Sequence, residues 1–431
     1  MSLLAGVDGL PPAPEFVSGP RRAGRDGFER LGLPTTRQED WRFTSLAPLS
    51  VHAFGHGDPG APVSAGEIER SAGKPLGPRL VFVNGRFRAD LSSAHGFQPG
   101  LHAGSLQHAI AVSPALVAPR LGRTAGIEGR PFTALNTAFL GEGAFIHLGP
   151  GVKGGLVELV FATVARDRPV ASHPRVLVVA DPGSQATLVE TYVALGDHPA
   201  LTNAVTEIQL GERASLDHYQ VQDQPGSAFH FATVAAEQGP EARFSTHSSA
   251  LGAAISRSDV LARMSGEGAE AVVSGLYMAD GRRLVDNHSV VEHAVPRGTS
   301  RELFKGILDG ESRAVFAGRI RVLEGAMKTD AHQSNSNLLL SRDAIVDSMP
   351  QLEIYADDVK AGHGGTVGEL DRDALFYLRS RGLPLSRARS LLIYAFAREM
   401  VDRVAVPALR DRVGRLVAAR LPGGEQILEA A

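Results

Sequence analysis

The chain has 431 residues, and 44 Lys and Arg against 47 Asp and Glu leave a formal charge of −3, too balanced to offer nucleic acid an electrostatic surface. Hydrophobic residues at 43% suffice for packed cores, whereas 48 Gly and 26 Pro exceed what a helical bundle uses and require a chain that turns often. With no cysteine, disulfides, a thiolate nucleophile and any zinc or Fe–S site held by the chain's own thiolates are excluded.

The opening residues meet Asp8, Pro11 and Pro12 without a basic segment leading into a long apolar one, so the sequence predicts a cytoplasmic protein. Residues 156–165, the most apolar stretch, carry Glu158 and fall far short of the roughly 20 residues that span a bilayer. Residues 1–75 read as a small, partly helical cap. It contains a helical pattern near residues 21–31 with Phe28 and Leu31 on one face, the segment LPTTRQEDWRFTSL, and a Gly/Pro/His-rich linker near 52–64. Trp41, the only tryptophan, is expected to anchor this cap on its neighbour.

Residues 76–350 change to short runs rich in Val, Leu, Thr and Phe, among them LVELVFATV, RVLVVA, ATLVETYVAL and EAVVSGLYM, each closed by Gly, Pro or Asp. Gly183, Gly211, Gly239 and Gly266 recur at 28, 28 and 27 residues, and Gly196, Gly226, Gly252, Gly281 and Gly310 form a second ladder half a period out of phase. A coil of about 28 residues turning at two corners gives two such ladders, each coil burying its apolar face on the next, which predicts a β-solenoid; the pattern alone leaves a β-sandwich or barrel open. Residues 351–431 are expected to hold a glycine-rich loop and a helical domain. Asp371 caps a predicted helix ending at Ser380, with Gly382 and Pro384 as its stop. Ser386 is expected to cap a second helix with Ala388, Leu391, Leu392, Ala395, Phe396 and Met400 on one face, and Leu409, Val413, Leu416 and Val417 mark a third.

The densest chemical feature is the run from Tyr355 to Gly368, YADDVKAGHGGTVG, read as a strand ending in a glycine-rich turn. It lacks the Lys-Ser/Thr of a P-loop and the third glycine of a dinucleotide fingerprint. What remains is a tight loop presenting His363 as a metal or cluster ligand, a proton carrier or an ordinary loop histidine. Asp357 and Asp358, placed on the strand, would face opposite sides and form no acid/base pair. Asp286, His288, Glu292 and His293 cluster in sequence, but on a strand His288 and His293 fall on opposite faces. His332 sits in an Asn/Ser/Gln stretch that a solenoid uses as an internal ladder or a turn.

Together, LPTTRQEDWRFTSL, VDNHSVVEHAVPRGTSRELFKGILDGESRAVFAGRI, SNSNLLLS, PQLEIYADDVKAGHGGTVGEL and LFYLRSRGLPLSRARSLLIYAF resemble the SufB/SufD family of Fe–S cluster assembly scaffolds, in its SufD branch. The resemblance implies a right-handed parallel β-helix between N-terminal and C-terminal helical caps. It implies a non-catalytic subunit that pairs with a SufB-like scaffold through the C-terminal edge of the β-helix, or with itself when that partner is missing. A SufC-like ABC ATPase would dock on the C-terminal helices, around Phe376, Tyr377, Arg381, Leu391 and Phe396. His363 matches the family histidine implicated in cluster formation at the heterodimer interface, and is this chain's one candidate metal ligand. No cofactor is expected to stay on this chain alone; the complex would carry a nascent Fe–S cluster, with reduced flavin on the complex left open. Family members often have Cys two residues before that histidine, where this chain has Ala361, so thiolate ligation would come from the partner. The alternative class is a β-helix carbohydrate-active enzyme, a lyase or hydrolase working along an exposed groove.

Overall fold

The computed structural model describes residues 3–93, 96–424 and 427. Its centre is a parallel β-solenoid of about eight turns with helices at both ends. One sheet runs from Gly143–Leu148 through Arg175–Ala180, Ala200–Leu210, Ala228–Gln238, Ile255–Met264, Leu284–His293 and Arg313–Val322 to the short strands Ile345–Ser348 and Gln351–Ile354. The other runs from Arg79–Val83 through Lys153–Val164, Gln185–Leu195, Ser215–Gln222, Arg243–Ala250, Glu270–Ala279, Thr299–Leu308 and Asp330–Leu339 to Lys360–Gly368. Each strand lies in register on the one a coil earlier, so in the second sheet residues 27–31 positions apart stack along the axis. Alternate side chains from both sheets, such as Val178, Leu188, Ile208, Leu216, Val234 and Phe244, fill the lumen as one continuous core.

The two glycine ladders mark the corners for two reasons: Gly183, Gly196, Gly281 and Gly310 take left-handed φ of 58–101°, and others sit where consecutive coils touch. A Cβ on Gly266 would stand 1.9 Å from the Pro240 nitrogen, and one on Gly252 would stand 2.1 Å from the Gln224 carbonyl oxygen, so the coils approach too closely for any side chain. The left-handed residue of the first corner lies two positions further on and is usually not glycine: Arg213, Glu241, Arg297, Lys328 and Asp358 all have φ between 52° and 63°.

The expected boundaries shift at both ends of the solenoid. Helices Leu106–Val112, Pro114–Val117 and Pro131–Ala138 interrupt the segment read as strands from 76 onward, and the coil continues past 350 to Gly368. The run read as a glycine-rich loop is therefore itself a strand, Lys360–Gly368, and Asp357 and Asp358 lie in the bend before it. In-register pairing with Asp330–Leu338 supplies backbone hydrogen bonds that the composition of the run does not announce.

The N-terminal helix Glu15–Leu31 packs on Pro131–Ala138, where Gly24 lets the backbones meet. Trp41 is buried against Phe132, with ring centroids 5.5 Å apart, and lies under the Arg257 guanidinium at 3.9 Å. Arg257 also donates to the Asp40 carbonyl at 2.6 Å and to the buried Asp286 carboxylate at 2.7 Å, which accepts from Thr44 at 2.6 Å. Burial alone would raise the Asp286 carboxyl, but Arg257, His288 and Thr44 outweigh it and hold it below the ordinary carboxylate range. The segment around Trp41 is thus fastened to the outer face of the first sheet by one ionic knot.

At the other end, Asp371 caps Arg372–Ser380 by accepting from the Asp373 and Ala374 amides. The second helix begins at Leu385 with Pro384 at its cap, so Ser386 lies inside it rather than capping it. Its buried face is Ala388, Ile393, Tyr394, Ala397, Met400 and Val401, rotated from the expected one; Leu391, Leu392 and Phe396 flank it and Ala395 is exposed. With Leu409, Val413 and Val417 of Pro407–Ala418, this face covers Tyr219, Val221, Leu276 and Ile307 on the outside of the second sheet. Among the described residues, no helix is long and apolar enough to cross a membrane.

Arg257→Ala should leave Asp286 buried and uncompensated, costing about 3–5 kcal/mol in chemical denaturation, whereas removing an exposed pair such as Arg22–Glu15 should leave stability nearly unchanged. Equal losses for the two would contradict the knot.

Candidate functional site

The two ends of the solenoid are finished differently. At the N-terminal end the second sheet stops with Arg86–Phe87 antiparallel to Arg79–Val83, and the first with Leu101–Ser105 antiparallel to Gly143–Leu148. At the C-terminal end nothing in the described residues pairs with the outer edge of Lys360–Gly368, nor with that of Ile345–Ser348 and Gln351–Ile354. A free parallel edge offers a row of unmet N–H and C=O groups to another chain. Of the ten large apolar side chains exposed among the described residues, Met327, Ile345, Ile354, Tyr355 and Val367 ring this end. Phe376, Tyr377 and Leu385 lie on the helices just after it, and only Val51 and Val112 lie elsewhere.

His363 sits in the middle of the last strand. It is in register with Gln333, which is in register with Glu302, so the three share the lumen-facing row of successive coils. Inward position and exposure coexist because no further coil follows: His363 is exposed, while Gln333 and Glu302 are each 3% exposed. Among the described residues the His363 side chain makes no hydrogen bond or ion pair. Ala361 lies on the same face, packed near Ile320 and Ala331. On the outer face of the strand an open cleft of about 510 Å³ is bordered by Arg301, His332 and Arg403.

Beneath this end the lumen holds polar side chains, as it also does around Glu190, His218 and Gln220 in the middle coils. Asn335 donates to the Tyr277 hydroxyl at 3.0 Å, Asn337 donates to Asn335 at 2.7 Å, and Ser348 donates to Asn335 at 2.9 Å. Glu302 accepts from Ser289 Oγ at 3.0 Å on the opposite sheet and from Gln333 Nε2, and among the described residues it has no ion-pair partner. Burial pushes the Glu302 carboxyl up to about 7, against the pull of its bonds from Gln333 and Ser289. The Asn/Ser/Gln stretch is thus the internal ladder expected, whereas His332 faces outward beside Asp330 at 3.2 Å. Glu302 and Tyr277 were not singled out by the sequence; the repeat register, which puts Glu302 one coil before Gln333, is the signal that finds them.

The remaining candidates separate. Phe376, Tyr377 and Arg381 form one exposed patch, with the guanidinium 5.2 Å from the Tyr377 ring. Leu391 and Phe396 are half-buried against the helices' own core, Phe396 under Lys305 at 4.4 Å. His288 and His293 take opposite faces: His288 lies 2.9 Å from Asp286, and His293 bonds Ser300 inside the lumen at 2.8 Å. Among the described residues no three His, Asp or Glu converge as a metal site.

The described residues thus form a parallel solenoid with one end finished by antiparallel strands and the other left with unpaired, apolar-rimmed edges bearing a histidine. Residues 12–155 match the SufBD protein N-terminal region, and 161–396 match the SUF system FeS cluster assembly, SufBD core domain. The chain is 34% identical to the iron-sulfur cluster assembly SufBD family protein slr0076 of Synechocystis sp., covering 93% of this chain and 90% of that protein. It is 33% identical to the iron-sulfur cluster assembly protein SufD of Escherichia coli, covering 92% and 91%. A more distant relative is the SufD of Bacillus subtilis, 25% identical over 68% of each chain. The chain belongs to the SufBD family of Fe–S cluster assembly proteins and is SufD-like.

Because Glu302 binds its proton more tightly in the native than in the unfolded chain, its contribution to stability is full below about pH 4.3 and is lost as pH rises through about 7. Glu302→Gln cannot ionise and should escape that loss. In urea unfolding, its stability relative to wild type should rise by roughly 2–3 kcal/mol between pH 5 and pH 8. An unchanged difference at the two pH values would contradict the assignment.

Proposed function

We propose that this chain is a non-catalytic scaffold subunit of a SUF-type complex, stacking on a SufB-like subunit through the open end of its solenoid and docking a SufC-like ATPase on its C-terminal helices. The observation that carries this reading is the open end: two unpaired parallel edges rimmed by Ile345, Ile354, Tyr355 and Val367, with His363 at the centre of one of them. A partner whose strands pair along those edges would bury those apolar groups and make His363 an interior residue at the junction. The same self-complementary edge supports pairing of two copies when the partner is missing.

Fe–S cluster atoms are the cargo of such an assembly. An imidazole at the junction offers a nitrogen lone pair or a proton, and the partner supplies thiolate, since this chain has none. The exposed patch of Phe376, Tyr377 and Arg381 suits a docking helix pair, whereas Leu391 and Phe396 hold that pair to the solenoid. Any reduced flavin is assigned to the complex rather than to this chain. The naming of the relatives for Fe–S cluster assembly favours this reading over a carbohydrate-active enzyme.

The test is co-purification of the three subunits with iron and sulfide analysis. Point substitutions are preferable to removing residues 371–431, because those helices cover Tyr219, Leu276 and Ile307. His363→Ala should keep both partners and lower cluster content several-fold, since one imidazole carries little of a large interface. Phe376→Ser with Tyr377→Ser should lose the ATPase and keep the scaffold partner. Unchanged iron and sulfide in His363→Ala, or retained ATPase in the double variant, would overturn the corresponding role.

A further inference from the structure

The row Glu302–Gln333–His363 contains an unmet demand. Gln333 is 3% exposed and its amide nitrogen is committed: Nε2 donates to Glu302 on the preceding coil. The nitrogen also lies so close over the opposite strand that a Cβ on Gly318 would stand 1.9 Å from it, which leaves the amide little room to turn. Its oxygen, Oε1, is buried and has no hydrogen-bond partner among the described residues. An amide's oxygen and nitrogen diverge, so with Nε2 held toward Glu302 the oxygen is turned away from that coil. The residue in register on the following coil is His363, whose ring has no partner of its own. In-register neighbours on parallel strands stand about 4.8 Å apart, within reach of a Gln-to-His hydrogen bond after rotation of the exposed imidazole.

We propose that Gln333 is a positioning residue for His363: its amide oxygen accepts one ring N–H of His363, fixing the tautomer so that the other ring nitrogen presents its lone pair at the open end. Buried acceptors without donors are rare in folded proteins, and the residue in register on the next coil carries an imidazole that can supply an N–H. A histidine that must bind or relay at a chosen nitrogen has its orientation set by the bond its other nitrogen makes. Ser289 and Glu302 act behind Gln333: the hydroxyl holds the carboxyl from the opposite sheet, and the carboxyl holds the amide nitrogen, which leaves the oxygen as the amide atom available to His363. Gly318 is required at its position because the amide crosses there.

This inference rests on the reading that His363 works at the junction, yet its test needs neither partner nor cluster. The full chain is labelled with ¹⁵N-histidine, and long-range ¹H–¹⁵N spectra are recorded at pH 8, with the His363 signals assigned by their loss in His363→Ala. In the wild-type chain His363 should show a single neutral tautomer with one protonated and one bare nitrogen. In Gln333→Met, which keeps the length and removes the acceptor, the ring should revert to the averaged shifts of a free imidazole, while His332 on the outer face stays unchanged. Gln333→Leu serves the same purpose should the methionine variant not fold. Averaged His363 shifts in the wild type, or a single tautomer that survives loss of the amide, would overturn the proposal. A fixed tautomer together with normal cluster content in His363→Ala would keep the positioning role and refute the junction role, so the two failures are distinguishable.

Discussion

Parallel strands stacked in register satisfy one another along the coil axis, but the first and last coils always keep one unpaired edge in each sheet. This chain treats its two ends oppositely. The N-terminal end turns strands antiparallel and packs helices on them, so stacking cannot continue there. The C-terminal end stops on Lys360–Gly368, where Gly362, Gly364, Gly365 and Gly368 leave the backbone bare. Such a strand has little side-chain packing of its own, and its order rests on pairing with Asp330–Leu338. Glycine at an edge weakens the strand and removes steric obstacles to an approaching chain, and both consequences suit a surface completed by another polypeptide.

The interior near that end follows from the same arrangement. The lumen is mostly Val, Leu, Ile and Phe, with two buried polar groups: Glu190 bonded by Tyr192, Thr206 and Gln220 in the middle coils, and in the last ones Tyr277, Asn335 and Asn337 bonded to one another, with Gln333 on Glu302. A polar lumen adds less burial free energy than an apolar one, but its bonds fix which coil lies on which. Close to an open end, where stacking comes from one side only, that directional set of contacts holds the terminal coil in register. Glu302 is the costly member, a carboxyl with no ion-pair partner among the described residues, tolerated because Ser289 and Gln333 donate to it.

The solenoid is legible because its corners demand glycine once per coil, for close approach at Gly252 and Gly266 and for left-handed φ at Gly281 and Gly310. The left-handed corner residues were not legible, since Arg213, Glu241 and Lys328 occupy positions where glycine is the usual signal. The last strand was misread as a loop because its residues have almost no β-propensity, and tertiary pairing overrode composition. The second C-terminal helix was placed almost correctly, but its buried face is set by the sheet it covers, which the helix sequence does not contain. His363 was found by its glycine surroundings, while Glu302 and Gln333 became significant only once the register put them in its row. Trp41 was read as an anchor from its rarity, but the knot of Arg257, Asp286 and Thr44 that holds it joins residues over 200 positions apart.

The account's central claim, that the C-terminal edge is completed by a second polypeptide, is tested most directly by amide hydrogen exchange of this chain alone and in complex with a SufB-like subunit. Amides of residues 360–368 and 351–354 should exchange quickly in the free chain and slow by at least about tenfold on complex formation, while those of 228–238 in the middle of the solenoid stay as they are. A complex that forms without changing exchange at 360–368 would contradict the claim.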